Sequence, residues 1–258
     1  MDSLMRLFLV ALIAFSSGLV SSVFGGGYGT ILTPALILMG YGREVVVPCT
    51  LISQLVSGLF LVILHHKLGT IRISTSSEDV RVASVLAACG LLGLAMAAVA
   101  LLSLPKDVVD IYVGLMVLAV GLFVLFNRNS RPRKDGSSGL KKLVAIGIIS
   151  AFNKGLSGGG YAPLLSGGQV AAGTKAKSAI GRTTMMNIVV CLGGAILYAI
   201  LGFSLDIGLV LSATIGLSLM TPLSAYAVKK TGEKKLRTGM GLVITALGIG
   251  MLIKLLLG

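Results

Sequence analysis

The stretches NKGLSGGGYAP (residues 153–163) and SVFGGGYGTIL (residues 22–32) share a GGGY tetrad, Gly158–Tyr161 and Gly25–Tyr28. The tetrads stand 133 residues apart in a chain whose mean hydropathy is +0.98. Three glycines in a row favour non-helical backbone and leave its polar groups unshielded. Lipid excludes such backbone unless it is buried in protein or lines a wet cavity. Each tetrad follows an apolar segment (4–24; 140–156) and opens a short one (28–40; 161–172). As helix, the short segments reach about 20 Å, less than the roughly 30 Å of hydrocarbon. Broken apolar helices at matching positions of two halves point to the binding site of a transporter.

Composition agrees. The 258 residues are 55% apolar and 12% charged, about half the charge of an ordinary soluble domain. The chain reads as an all-α polytopic membrane protein. The net charge is +13, but the basic residues cluster between apolar spans, in NRNSRPRKDGSSGLKK (127–142) and KKTGEKKLR (229–237). Such clusters orient a membrane protein and meet anionic lipid headgroups. No aromatic residues interleave them, so nucleic acid is not an expected partner. Cys49, Cys89 and Cys191 lie singly inside apolar spans. That pattern gives neither a disulfide framework nor a metal site, and no cofactor is expected. The apolar N-terminus has the look of a signal peptide, but it takes part in an internal repeat and is read as a span.

The repeat emerges on sliding the chain by 133. Ile13 meets Ile146, Ser17 meets Ser150, Gly40 meets Gly173, Thr50 meets Thr183 and Gly69 meets Gly202. Further on the offset becomes 127, where Gly114 meets Gly241 and Gly121 meets Gly248. The order of matches divides the chain into a first membrane repeat (1–127), a basic linker (128–139) and a second membrane repeat (140–258). Each repeat holds a broken, re-entrant first helix pair and three longer spans: 45–66, 80–103 and 108–127, then 178–201, 206–228 and 238–257.

Charge orients the two repeats. If each crosses an odd number of times, fifteen basic residues outside the spans share one side and four oppose them; even crossings give ten against nine. The positive-inside rule favours the odd count. The repeats are then inverted, the linker is cytoplasmic and both termini lie outside.

The repeated GGG after a first apolar span, the short helix with Pro34, and the KSAIGRTTMMN opening of a later helix together resemble the TauE/SafE sulfite-exporter family. The resemblance spans nearly the whole chain. It implies movement of small sulfur-containing anions, such as sulfite or sulfonates, across the cytoplasmic membrane. Where the second half reads KSAIGRTTMMN the first reads VVVPCTLISQ, so Arg182 faces Cys49 in the repeat and the site is asymmetric in charge.

The candidate ligand-binding residues follow from chemistry. A helix N-terminus after each triplet offers free N–H donors and positive partial charge. Two of them meeting near the midplane would hold an anion through Gly25, Gly26, Gly27, Gly158, Gly159 and Gly160. Tyr28 and Tyr161 add hydroxyls. Thr183 and Asn187 share a helix face, continued by Cys191, and Thr50 and Gln54 repeat that spacing. Arg182 offers a planar fork suited to paired oxygens. Each candidate has a plainer reading beside it: close helix packing for the glycines, interhelical hydrogen bonds for the polar pairs, and snorkelling to the headgroups for Arg182. Lys154 either adds positive potential or snorkels, and His65 and His66 sit at a span's edge. GLSG at 155–158 fits an intramembrane serine protease motif, but no histidine follows residue 66 to serve as base. No catalytic residue is therefore assigned.

The function read from the sequence is a secondary transporter, exporter or facilitator, of small sulfur-containing anions. An anion channel and a non-transporting membrane accessory subunit remain as alternatives. The oligomeric state is open.

Overall fold

The computed structural model describes residues 3–24, 28–69, 78–101, 106–126, 140–157, 161–200, 202 and 204–256. They form ten helices: α1 (Ser3–Phe24), α2 (Tyr28–Leu38), α3 (Arg43–Lys67), α4 (Glu78–Leu101), α5 (Lys106–Phe126), α6 (Leu140–Ser157), α7 (Tyr161–Ala171), α8 (Ala176–Ile200), α9 (Ile207–Lys230) and α10 (Glu233–Leu256). Five of them contain stretches long and apolar enough to cross a membrane: Leu4–Val23, Val45–Lys67, Val80–Ala97, Ala176–Ile200 and Ile207–Lys230. The outward faces of the bundle are apolar, with Phe8, Phe60, Leu92, Phe123, Ile196 and Leu219 all exposed. That is the surface a bilayer covers.

Helices α2 and α7 are short, with 11 residues each. In α7, Tyr161 and every residue from Pro163 to Val170 are buried. A helix too short to cross is thus wrapped in protein. The segments 25–27 and 158–160, which hold the glycine triplets, lie outside the described residues.

Most of the strong helix pairings map onto themselves when α1–α5 are exchanged with α6–α10; α5·α7 is the exception, since α10 has no comparable pairing with α2 among the described residues. The pair α1·α9 becomes α6·α4, α3·α9 becomes α8·α4, and α1·α2 becomes α6·α7, while α3·α8 and α5·α10 map onto themselves. The turns repeat as well. Among the described residues the glycines with positive φ are Gly40, Gly69, Gly173 and Gly202, two pairs of positions each 133 apart.

Directions follow from side-chain contacts. Leu51 of α3 lies against Gly194 of α8, Gln54 meets Asn187 and Cys191, and Gly58 meets Ile188. Numbers fall along α8 as they rise along α3, so the two run antiparallel. Helices α5 and α10 do the same: Leu118 abuts Gly248, Gly121 abuts Thr245, and Leu125 abuts Gly241. In contrast, α1 runs parallel to α9, with Leu7 at Gly208, Ala14 at Gly216 and Gly18 at Met220.

The basic stretch 229–237 is more ordered than its composition suggests. Lys229 and Lys230 close α9, and α10 starts at Glu233 rather than near residue 238. The first turn of α10 docks on its neighbours. The Glu233 carboxylate accepts the backbone N–H of Ala176 at the start of α8, and Arg237 donates to the Val170 carbonyl near the end of α7 at 3.4 Å. An acid at a helix N-terminus and a cation at a C-terminus each complement the helix dipole. Asp206 likewise caps α9, accepting from Leu209 N at 2.9 Å.

The α5–α10 crossing depends on glycine. A Cβ at Gly121 would lie 2.5 Å from Thr245 N, and one at Gly248 would lie 2.5 Å from Leu118 N. Both neighbours are backbone, so relief requires the helices to separate. Gly121→Ala and Gly248→Ala are each expected to destabilise the protein by about 1–3 kcal/mol. Gly250→Ala, whose Cβ would meet nothing within 4 Å, should be neutral. Thermal unfolding in detergent reads the difference.

Candidate functional site

Lys154 stands in the last turn of α6 and is 4% exposed. A helix C-terminus carries negative partial charge, which favours a cation there. Its ammonium does not reach outward. It donates to Asn187 Oδ1 at 2.7 Å, to Cys191 Sγ at 3.2 Å and to Gln54 Oε1 at 3.4 Å. It also lies 4.8 Å from the centroid of the Tyr161 ring, on the first residue of α7. Three donors are thus spent on two amides and a thiol, with an aromatic face beside them. Among the described residues no carboxylate pairs with Lys154.

The surrounding residues come from three more helices. Gln54 belongs to α3, while Asn187 and Cys191 sit one turn apart on α8. Asn187 Nδ2 donates to Gln54 Oε1 at 3.3 Å, and the Cys191 thiol donates to the same oxygen at 3.6 Å. Gln54 and Asn187 occupy matching positions of the two halves, 133 residues apart. The residue matching Lys154 is Ser21. Ser21 is buried, and its hydroxyl has no partner among the described residues. The site is therefore charged from one half only.

The other expected residues divide. Thr183, one turn before Asn187, accepts from Gln169 Nε2 of α7 at 3.0 Å. Gln169 is fully buried, and its Oε1 has no partner among the described residues. Thr50 bonds its own helix at the Val47 carbonyl, 2.8 Å away. Arg182 is 4% exposed, in the buried part of α8 rather than on its surface. Tyr161 is buried beside Lys154. Tyr28 is buried in a different cluster, with Val10, Leu32, Leu36 and Leu209. Both tyrosine hydroxyls lack a partner among the described residues. Gly25–Gly27 and Gly158–Gly160 fall outside them. His66 is exposed at the span's edge as read, but His65 is fully buried. No group of three or more metal-ligating side chains occurs among the described residues.

Sequence reasoning named Gln54, Asn187 and Tyr161, left Lys154 and Cys191 at the margin, and did not name Gln169. The available signal was asymmetry: Lys154 stands where the first half has Ser21, and Gln169 where it has Leu36. A polar group that one repeat carries and the other lacks has no part in the shared scaffold.

A bundle with apolar outer faces, two short buried helices and an internal cation defines a multi-pass helical membrane protein. Compared with family models, the chain matches the sulfite exporter TauE/SafE family over residues 10–251. It belongs to that family of membrane transporters. A relative in Bacillus subtilis (strain 168), described as "Probable membrane transporter protein YtnM", is 25% identical over 164 residues. That match takes in 62% of this chain and 52% of the relative, so it spans about half the relative's length. No solved structure matches the chain.

The hydrogen-bond cluster makes unequal demands on its members. Asn187→Leu removes the shortest acceptor from a buried ammonium, and the expected cost is about 1–3 kcal/mol. Thr50→Val removes only a hydroxyl bonded within its own turn and should cost less. Paired thermal melts rank the two; equal losses would mean that Asn187 contributes packing alone.

Proposed function

We propose that the chain is a secondary transporter, an exporter or facilitator, of small sulfur-containing anions such as sulfite or organosulfonates across the cytoplasmic membrane. The observation that carries this reading is the Lys154 ammonium, buried where two counterpart amides meet and paired with no carboxylate among the described residues. Burying a charge is costly unless it is compensated. Amide oxygens satisfy its hydrogen bonds but not its charge. A small anion supplies both, with Asn187 Nδ2, the Tyr161 hydroxyl and the start of α7 as further donors. The family supports transport, and the buried cation supports an anionic cargo.

In this reading both glycine triplets serve one site, each bringing the N-terminus of a short helix toward the anion. Arg182 and Thr183 line the route on α8. Substrate stabilisation tests this. Sulfite and a small sulfonate should raise the melting temperature of the wild type. Lys154→Met should bind them about 10- to 100-fold more weakly, the loss of a charge-assisted hydrogen bond, and Lys154→Arg should retain part of the effect. Gly26→Ala and Gly159→Ala should each weaken the response. Full stabilisation of Lys154→Met would sink the anion site. A loss at Gly159 without one at Gly26 would confine the site to one triplet. In proteoliposomes a carrier shows saturable counterflow; a channel shows flux without it.

We further infer that the halves are inverted repeats, residues 1–127 and 140–258, joined by a cytoplasmic linker with both termini outside. The antiparallel pairing of α3 with α8 and of α5 with α10 supports this, because matching helices of inverted repeats cross in opposite directions. So does the gathering of Lys177, which donates to the Lys229 carbonyl, with the basic α9–α10 turn at one end of the bundle. Lys67 and Ile200 are matching exposed positions at the ends of α3 and α8. In a background without the native cysteines, Lys67→Cys and Ile200→Cys should label from opposite faces. Labelling from the same face would make the repeats parallel.

A further inference from the structure

At the junction of α9 and α10 lies a shallow, open cavity of ≈ 500 Å³, lined by Thr231, Lys234, Lys235, Thr238, Gly239 and Leu242. We propose that it binds the headgroup of an anionic phospholipid, with an acyl chain running down the apolar face of α10.

Two lysines line it. Lys234 and Lys235 are both exposed, and no carboxylate pairs with either among the described residues. The Thr238 hydroxyl is already spent on the Lys234 carbonyl at 3.0 Å, so the charged donors there are the two amines. Most of the exposed lining is apolar: Gly239 offers no side chain, and Leu242 is 56% exposed. Exposed lysines beside apolar surface suit a molecule with a phosphate at one end and hydrocarbon at the other.

The depth is marked independently. Tyr226, one turn before the end of α9, is 51% exposed and lies under Lys230, whose Nζ is 4.8 Å from the ring centroid. Exposed tyrosines with a lysine beyond them belong at the boundary between hydrocarbon and headgroups. The cavity therefore opens at the level where lipid phosphates sit.

The comparison between halves argues that the lysines are not scaffold. The positions 127 residues upstream of Lys234 and Lys235 are Asp107 and Val108. At the start of α5 the corresponding positions carry no basic pair, so the pair is not part of what the two halves share. The charge is installed on one end of the bundle only, the end that carries most of the basic residues. An anionic headgroup in the leaflet on that side is what this difference recognises.

The test uses the full-length purified protein in a zwitterionic detergent. Binding of phosphatidylglycerol and of phosphatidylcholine is compared by native mass spectrometry. Phosphatidylglycerol should bind the wild type more tightly. The double variant Lys234→Gln/Lys235→Gln should bind it about 30-fold more weakly. The control Lys67→Gln/Lys142→Gln, which removes two exposed lysines elsewhere, should bind it as the wild type does. Equal binding of the two lipids by the wild type would overturn the proposal, as would undiminished phosphatidylglycerol binding by the double variant. An equal loss in the control would reduce the effect to net charge and overturn it too. Displacement of the lipid by millimolar inorganic phosphate would assign the cavity to a free anion instead. The variants' elution as single species and an unchanged sulfite response would separate these outcomes from misfolding and from failure of the transport reading.

Discussion

An ammonium inside an apolar bundle must be met by oxygens or by an anion, and α3, α6, α7 and α8 are arranged around meeting it at Lys154. The end of α6 brings the amine inward and adds its own negative partial charge. Helices α3 and α8 run antiparallel, so one amide from each arrives at the same place. The short α7 starts beside the amine, and its length lets protein surround it. If α7 were long enough to cross the bilayer, its first residue would lie near a membrane surface and not beside the buried amine.

Much of the fold was legible because a repeat writes its evidence twice. The GGGY tetrads, the paired turn glycines and the Thr–Gln and Thr–Asn spacings each occur at a fixed offset, and the helices follow them closely. The site was legible only where it too is repeated. Gln54 and Asn187 could be named as partners from their matching positions, and they do meet. Lys154 could not be placed, because a lysine near the end of a helix is equally at home in the headgroups. Whether its chain turns in or out depends on the neighbouring helices, which one segment of sequence does not encode. The same holds for His65, whose place at a span's end suggested exposure until packing buried it, and for Cys191, which as a lone cysteine reads as filler. Thr50 shows the opposite failure. It shares its register with Thr183, yet its hydroxyl turns back on its own helix because the first half supplies Leu36 where the second supplies Gln169.

The two halves are thus alike in scaffold and unlike in polar chemistry. The glycine contacts of α5 and α10 are reciprocal, with Gly121 and Gly248 each pressed against the backbone that bears the other's neighbour three residues away. Such contacts are shape alone and tolerate being shared. Charges are distributed differently. Lys154 faces Ser21 across the exchange of halves, Arg182 faces Cys49, and the lysines of the α9–α10 turn face Asp107 and Val108. Each asymmetry adds positive charge to the second half.

The Lys154–Ser21 difference bears on why both halves share one chain. Two identical copies of a half, packed back to back, would form an isologous dimer, and any residue near the dyad would appear twice. A lysine at that position would then bring a second ammonium close to the first in a medium of low dielectric, where like charges repel strongly. A homodimer must therefore accept two cations or none at its centre. Covalent fusion removes that restriction, because each copy mutates alone. A single positive charge at the middle of a nearly symmetric frame is a state that two identical copies cannot reach.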